Sequence, residues 1–353
     1  MKRAPATPAT VRLSRVKASR TSSLPAAAIA VASTCLLDLD SSDLVRGVVV
    51  RRPSARNRSP YVGDVCLADG REVIAHMPSL DCGGKCHPGA AVMMRPARDK
   101  KGELVGALAT GPYGTPKCEF IMQLLRVEEP ENAALGGVWI GAHPSIGEKI
   151  AHALVNSGSL TELPAVTAVQ REVTGVAGTD MRCDFLLSHA EEKGTPKRTV
   201  LEVKTVVDTD YDPKNHPPSS SEKGKKDQPT FLGRTTPYER AGIFPWGRGA
   251  QKGPEGEKVV SARAIKHTRE LTAIAAGERL EEGVALRSAL LFVVTRHDAG
   301  FFRPNDEACP SFARYLREAE AAGVQVLARS VRWGEGDDVG KAFDEGALPV
   351  RFE

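Results

Sequence analysis

The sequence predicts a mixed α/β (α+β) protein in which a small barrel of short strands precedes a larger domain of alternating strands and helices. Three observations carry this. Residues 44–128 hold only short apolar or alternating runs, broken by Gly and Pro turns. From residue 138 onward, segments of helical period alternate with β-branched apolar runs. Finally, Leu201-Glu-Val-Lys-Thr-Val206 sets two charges inside an otherwise apolar strand, where they are costly without a task.

The elements follow in order. Residues 1–37 contain Lys2, Arg3, Arg12, Arg15, Lys17 and Arg20 and no acid before Asp38. Such an Arg-, Ser- and Ala-rich opening fits an organelle transit peptide, for plastid or mitochondrion, with a disordered tail as the alternative. A secretory signal fits less well, because Pro25 interrupts the apolar run. Taking those six from the 48 basic residues leaves 42 against 44 acids, so the body is nearly neutral despite the overall charge of +4. Binding to a polyanion must then come from a local patch. No apolar run is long enough to span a membrane.

In 44–128, Leu44–Val50 is one apolar run, and Tyr61–Leu67 alternates up to Asp69-Gly70, a hairpin signal. Glu72–Met77 returns as its partner, and Ala90–Arg95, Leu104–Ala109 and Phe120–Val127 supply three further strands. Short strands at this density suggest an OB-like barrel. Seven scattered cysteines suit reduced thiols better than a disulfide framework. Cys82, Cys86 and His87 lack the second pair a structural zinc site needs, so they read as part of a glycine-rich turn.

Residues 138–332 form the second domain. Ile146–Val155 has helical spacing behind Ser145 as a cap, and Val166–Val173, Met181–Leu187 and Thr199–Val207 are strands. Ser261–Ala276 is a helix stopped by Gly277, and Ala289–Thr295 is a strand buried on both faces. Pro310–Ala322 is a helix, Val324–Leu327 a last strand, and 333–353 a C-terminal tail. Residues 208–258, with seven prolines and a Lys223-Gly-Lys-Lys226 run, break this order. They read as a disordered insertion, either a solvated loop or a binding arm.

The chemistry concentrates on Asp184, Glu202 and Lys204. Glu202 and Lys204, two apart on a strand, share a face, with Leu201 and Val203 on the opposite one. A hairpin partner bearing Asp184 sets a second carboxylate beside Glu202. Two carboxylates and the Val203 carbonyl make a hard-oxygen site for Mg²⁺ or Mn²⁺. Lys204 would then stabilise charge on a scissile phosphate. The bland alternative is a solvated Glu–Lys pair on a surface strand.

These residues resemble the PD-(D/E)XK nuclease superfamily and, more closely, the sugar fermentation stimulation protein (SfsA-like) family. The resemblance rests on Tyr61-Val-Gly-Asp-Val65, Ala75-His-Met-Pro78, Arg182-Cys-Asp-Phe-Leu186, Leu201-Glu-Val-Lys-Thr205, Lys266-His-Thr-Arg-Glu-Leu271, Leu291-Phe-Val-Val294 and Ala322-Gly-Val-Gln-Val-Leu327. It implies an OB-like domain followed by a restriction-endonuclease-like mixed-sheet α/β domain, and DNA binding. It also implies a helix carboxylate near Glu148 as a further metal ligand. Two departures stand out: His76-Met-Pro-Ser-Leu-Asp81 replaces the family's His-x-Pro-Asn-(Thr/Ser)-Gly, and Ile265 stands where Gln is usual.

The expected function is therefore a DNA-binding protein with a nuclease-like domain, a Mg²⁺-dependent phosphodiesterase. The alternative is a nucleic-acid-binding regulatory module without turnover. The expected DNA contacts are Arg46, Arg51 and Arg52 in the densest basic cluster, together with His76 and Lys266. His76 reads rather better as a turn residue, and Lys266 equally as a solvated lysine.

Overall fold

The computed structural model describes residues 34–78, 82, 84–192, 194–216 and 230–352. Strand β1 (Cys35–Asp38) belongs to the large sheet described below. Strands β2 (Val45–Arg51), β3 (Val62–Leu67), β4 (Glu72–His76), β5 (Ala91–Pro96) and β6 (Phe120–Val127) close a five-stranded barrel, and β7 (Val138–Gly141) extends it beside β6. The ring runs β2-β3-β4-β6-β5 and back to β2. Only β4 and β6 are parallel, paired at Ala75–Phe120 and His76–Ile121. Those connections are those of an OB-like barrel, as the sequence predicts. Gly70 takes φ 83° in the β3–β4 turn, a conformation that side chains with a Cβ resist.

The second unit follows as α1 (Ser145–Asn156), β8 (Val166–Thr174), β9 (Arg182–Glu192) and β10 (Thr195–Val206). After β11 (Ala241–Phe244) come the small hairpin β12 (Gln251–Lys252) and β13 (Lys258–Val259), then α2 (Ala262–Ala275). The chain closes with β14 (Ala285–Val294), β15 (Phe301–Pro304), α3 (Pro310–Ala321), β16 (Gln325–Trp333) and β17 (Lys341–Ala347). The large sheet has the order β1-β17-β16-β14-β10-β9-β8, with β10, β14 and β16 parallel and the other neighbours antiparallel. Strand β14 lies at its centre, and Ala289–Val294 are fully buried, which explains a run without polar residues. One sheet face packs Val200, Leu290 and Phe292 against Ile265, Leu271 and Phe312 of α2 and α3. The other packs Leu201, Leu291 and Val293 against Ile146, Ile150 and Leu154 of α1. Each such side chain contributes about 1.5–3 kcal/mol by leaving water.

Six expectations need correction. Residues 35–37, assigned to the leader, lie in β1, because Leu36 and Leu39 bury against the sheet; residues 1–33 fall outside the described residues. Leu104–Ala109 makes no named strand, only the isolated bridges Arg98–Leu104 and Thr110–Pro116 within the β5–β6 connection. Residues 138–141 belong to the barrel sheet, since β7 pairs with β6. The C-terminal segment is no free tail: β17 pairs with both β16 and β1, and Val350 bridges to Phe302. Ser145 is the first residue of α1 and makes no cap; its hydroxyl meets His143 Nδ1 at 2.8 Å.

The largest correction concerns 208–258. Its described parts, 208–216 and 230–258, are built into the body, while Lys223-Gly-Lys-Lys226 lies outside the described residues. A network of buried charges holds them. Arg240 pairs with Glu129 at 2.9 Å, Glu131 at 3.1 Å and Asp298 at 2.5 Å. Arg296, fully buried, donates to Asp298 at 2.6 Å and to Glu129 at 3.1 Å. Lys85 reaches Asp208 at 3.4 Å, and Arg303 reaches Asp210 at 3.2 Å. The segment has little hydrophobic period because charge pairing, more than apolar burial, anchors it. Charges buried this way must be paired, since a lone one is very costly.

Candidate functional site

The β9–β10 hairpin brings the predicted trio together. Leu201 pairs with Phe185, which puts Glu202 beside Asp184 as the strands reach the end of their pairing. There the Val203 N–H donates to Asp184 Oδ2 at 2.7 Å, so a carboxylate takes the place of a strand carbonyl. Glu202 is 3% exposed. Its Oε1 accepts from Lys204 Nζ and from His267 Nδ1, the latter at 2.6 Å, while its Oε2 is buried with no hydrogen-bond partner.

The electrostatics separate the two acids. Burial, reinforced by the Glu202 charge, pushes the Asp184 carboxyl up to about 6, and the Glu148 charge adds to the effect. Burial would also raise Glu202, but the His267 hydrogen bond and the Lys204 charge outweigh it and hold that carboxyl below its ordinary value. Glu148, in the first turn of α1, pairs with Arg171 of β8 at 2.5 Å. Helix α1 approaches β10 closely at Gly147, where an added Cβ would lie 2.0 Å from Thr205 Oγ1. Only glycine permits that contact, which sets the start of α1 against the strand that carries Glu202 and Lys204.

Among the described residues, no group of three or more His, Cys, Asp or Glu side chains converges on one point. A cation here would rely on Asp184 and Glu202, with other oxygens completing its shell. The partnerless Glu202 Oε2 is an acceptor suited to that.

The remaining expected contacts are dispersed. Arg46 and Arg51 are exposed on β2. Arg52 instead donates to the carbonyls of Pro60 at 2.8 Å and Met77 at 3.2 Å, which ties two barrel segments together. His76 ends β4, where burial and then the Arg52 charge lower its pKa. Lys266 lies on the outer side of α2, paired with Asp180 at 2.7 Å, and does not reach the trio.

Its neighbour His267 does, and the sequence reading left it out of the site. The signal was present: Ala264, Leu271 and Ile274 mark the buried face of α2, and 267 falls on that face. Among the described residues, no helix is long and apolar enough to cross a membrane.

The structure thus defines a class: an OB-like barrel followed by a mixed α/β sheet domain with a buried acid–lysine–histidine cluster. A family profile described as the sugar fermentation stimulation protein RE domain matches residues 258–337, from β13 to just beyond β16. The sugar fermentation stimulation protein homolog of Maricaulis maris is 28% identical over 289 residues, covering 81% of this chain and 89% of its own. That of Thioalkalivibrio sulfidiphilus is 27% identical over 292 residues, covering 82% and 92%. The solved structure of Pyrococcus furiosus SfsA in complex with Ca²⁺ matches with a TM-score of 0.56 and 18% identity, covering 90% of this chain and all of that one. That likeness supports the shared fold. Over about four-fifths of its length the chain is similar to the sugar fermentation stimulation protein homologs.

Proposed function

We propose that this chain is a DNA-binding protein whose β9–β10 cluster is a divalent-metal-dependent phosphodiesterase centre of the PD-(D/E)XK kind. The observation that carries this is the buried, partnerless Oε2 of Glu202 beside Asp184. An anionic oxygen withdrawn from water with no donor is expensive, and a cation shared with Asp184 would supply what it lacks. The solved Pyrococcus furiosus relative is a Ca²⁺ complex, and Ca²⁺ likewise takes oxygen ligands, so the preferred ion here is Mg²⁺ or Mn²⁺ for turnover and Ca²⁺ for binding.

Asp184 and Glu202 would hold the ion, with the Val203 carbonyl and Glu148 as the further oxygens. When bound, such an ion neutralises phosphate charge and lowers the pKa of a water. The protein's own part is positioning. The Val203 N–H fixes Asp184, and His267 fixes Glu202 from the opposite element. The Lys204 ammonium, on the same strand face, is available to the charge that develops on a phosphate oxygen.

One feature favours the second reading, a regulatory module without turnover: Lys204 already forms an ion pair with Glu202. Incubating labelled DNA with the protein and Mn²⁺ separates the two. Cleavage lost in Lys204→Ala supports the phosphodiesterase, whereas binding with no cleavage in the wild type overturns it and leaves the module.

A further inference from the structure

The connection between β5 and β6, residues 97–119, leaves the barrel as an arm. Its root is closed by the Ala97 N–H to the Glu119 carbonyl at 2.7 Å and by the Glu119 N–H to the Ile74 carbonyl at 2.9 Å. Further out the chain folds on itself. The Gly111 N–H donates to the Thr115 carbonyl and the Lys117 N–H to the Ala109 carbonyl, both at 2.8 Å, so residues 109–117 form a small hairpin. Its apex is the turn Gly111-Pro-Tyr-Gly114, closed by the Gly114 N–H to the Gly111 carbonyl at 3.0 Å. Pro112 presets that turn and Gly114 takes φ 73°, so the backbone holds Tyr113 at the tip.

Tyr113 is 96% exposed and Leu108 95%, and neither joins the barrel core. Single exposed apolar side chains are ordinary, but here they are concentrated. Leu104 lies on the same arm, Tyr61 on the loop 52–61 between β2 and β3, and Val48 and Val50 on β2. Among the described residues, the other large exposed ones are Leu135 and Leu280. The loop touches the arm: Asn57 Nδ2 donates to the Pro116 carbonyl at 3.2 Å, which brings their chain neighbours Arg58 and Lys117 to one seam.

Positive charge is concentrated in the same place. Arg58, Arg98, Lys100, Lys101 and Lys117 are all exposed, and among the described residues none of them pairs with a carboxylate. Arg56 of the same loop differs, since it pairs with the buried Asp64 at 3.7 Å. The opposing acids are Asp99 and Glu103. Asp99 Oδ1 accepts the backbone N–H groups of Lys101 and Glu103, so it serves the turn. On a body that is nearly neutral, this is the local cationic surface that a polyanion requires.

Cations beside a bare aromatic ring suit a polyanion whose units carry flat faces. Single-stranded DNA is such a ligand, because its bases stack on aromatic side chains while its phosphates meet the cations. In a duplex each base face is covered by the next base, and the ring has nothing to stack on. An acidic protein would satisfy the cations alone.

We infer that the β5–β6 arm is a docking surface for single-stranded DNA, with Tyr113 stacking on a base and Arg58, Lys100, Lys101 and Lys117 holding phosphates. The inference rests on the DNA-binding reading above and deepens it: the substrate class is single-stranded or locally unpaired DNA.

The test uses the full chain with a labelled oligothymidylate strand and a hairpin duplex, read by fluorescence anisotropy. Tyr113→Ala should weaken strand binding by about tenfold and leave the duplex unchanged. Tyr113→Phe keeps the ring and should bind the strand as the wild type does. Both changes fall at an exposed turn tip, and unchanged melting temperatures should confirm that the fold is kept. Lys100, Lys101 and Lys117 changed together to Ala should lower the slope of log strand affinity against log salt by about 2. No loss in Tyr113→Ala, an equal loss on strand and duplex, or an unchanged salt slope overturns the arm. Polyglutamate that competes as well as unlabelled strand also overturns it, since an acidic protein would then be the fitting occupant. Each of these failures leaves duplex binding, and with it the DNA-binding reading, in place. A wild type that binds neither strand nor duplex overturns that reading itself.

Discussion

His267 Nδ1 donates to Glu202 Oε1 at 2.6 Å, so a residue of α2 orients the central carboxylate of β10. The two are 65 positions apart in sequence and are joined across the sheet face that α2 covers. Any ion held by Glu202 is therefore sensitive to the seating of that helix. His267→Ala should lower metal affinity on the order of 10–100-fold, as loss of an outer-shell partner commonly does. Titration calorimetry with Mn²⁺ reads this directly, and an unchanged affinity would remove His267 from the site.

Glu202→Gln keeps shape and removes the charge. The proposed site predicts a wild-type gain of about 2.7 kcal/mol when Mg²⁺ or Mn²⁺ reaches a hundred times its dissociation constant. In Glu202→Gln that gain should vanish, with DNA binding largely kept. A wild-type melting temperature indifferent to metal would return Glu202 and Lys204 to an ordinary ion pair.

Asp184 sets a pH dependence. Its carboxyl is raised to about 6 from an ordinary 3.8, so the native state holds the proton more tightly than the unfolded chain. In the metal-free protein this contribution to stability is full below about pH 4 and is lost as pH rises through about 6. The loss is at most about 3 kcal/mol. Denaturant midpoints of wild type and Asp184→Asn, compared from pH 4 to 7, should converge at the acidic end and separate above 6, with Asn the more stable. Parallel curves would contradict the raised value.

The salt dependence of DNA binding should respond to the arginines differently. Arg46 and Arg51 are exposed, so changing both to Ala should reduce the slope of log affinity against log salt by about 2. Arg52→Ala removes donors to two barrel carbonyls and should appear mainly as a lower melting temperature. A slope unaffected by Arg46 and Arg51 would move the contact surface away from β2.

Gly147→Ala forces its new methyl against Thr205 and should cost about 1–3 kcal/mol. Thr205→Ala in the same chain removes the 2.0 Å contact to Oγ1 and should restore part of that loss. A double-mutant cycle on denaturant midpoints checks the coupling.

Much of this was legible in the residues. The OB-like barrel followed from alternation and the Asp69-Gly70 turn, and the Asp184–Glu202–Lys204 cluster from two charges inside an apolar strand. Three things were harder to see, each for a physical reason. Residues 208–258 lack period because Arg240, Asp208 and Asp210 anchor them through charge, and their partners Glu129, Lys85 and Arg303 are remote in sequence. Strand β17 carries few apolar residues, because its place in the sheet depends on backbone pairing with β16 and β1. A lysine on α2 suggests a phosphate contact at Lys266, whereas the helical face decides that His267 is the residue that meets the sheet.

Strand β1 pairs with β17, Cys35 against Phe343 and Asp38 against Lys341. Some three hundred residues separate the partners, which makes this among the most non-local contacts of the sheet. On a ribosome the barrel strands that follow β1 can close while β1 still has no partner. Leu36 and Leu39 can cover themselves against α1, but the backbone of β1 stays without a strand partner until β17 has emerged. The order of synthesis is thus the reverse of the order of pairing: the first described strand is among the last to complete its ladder.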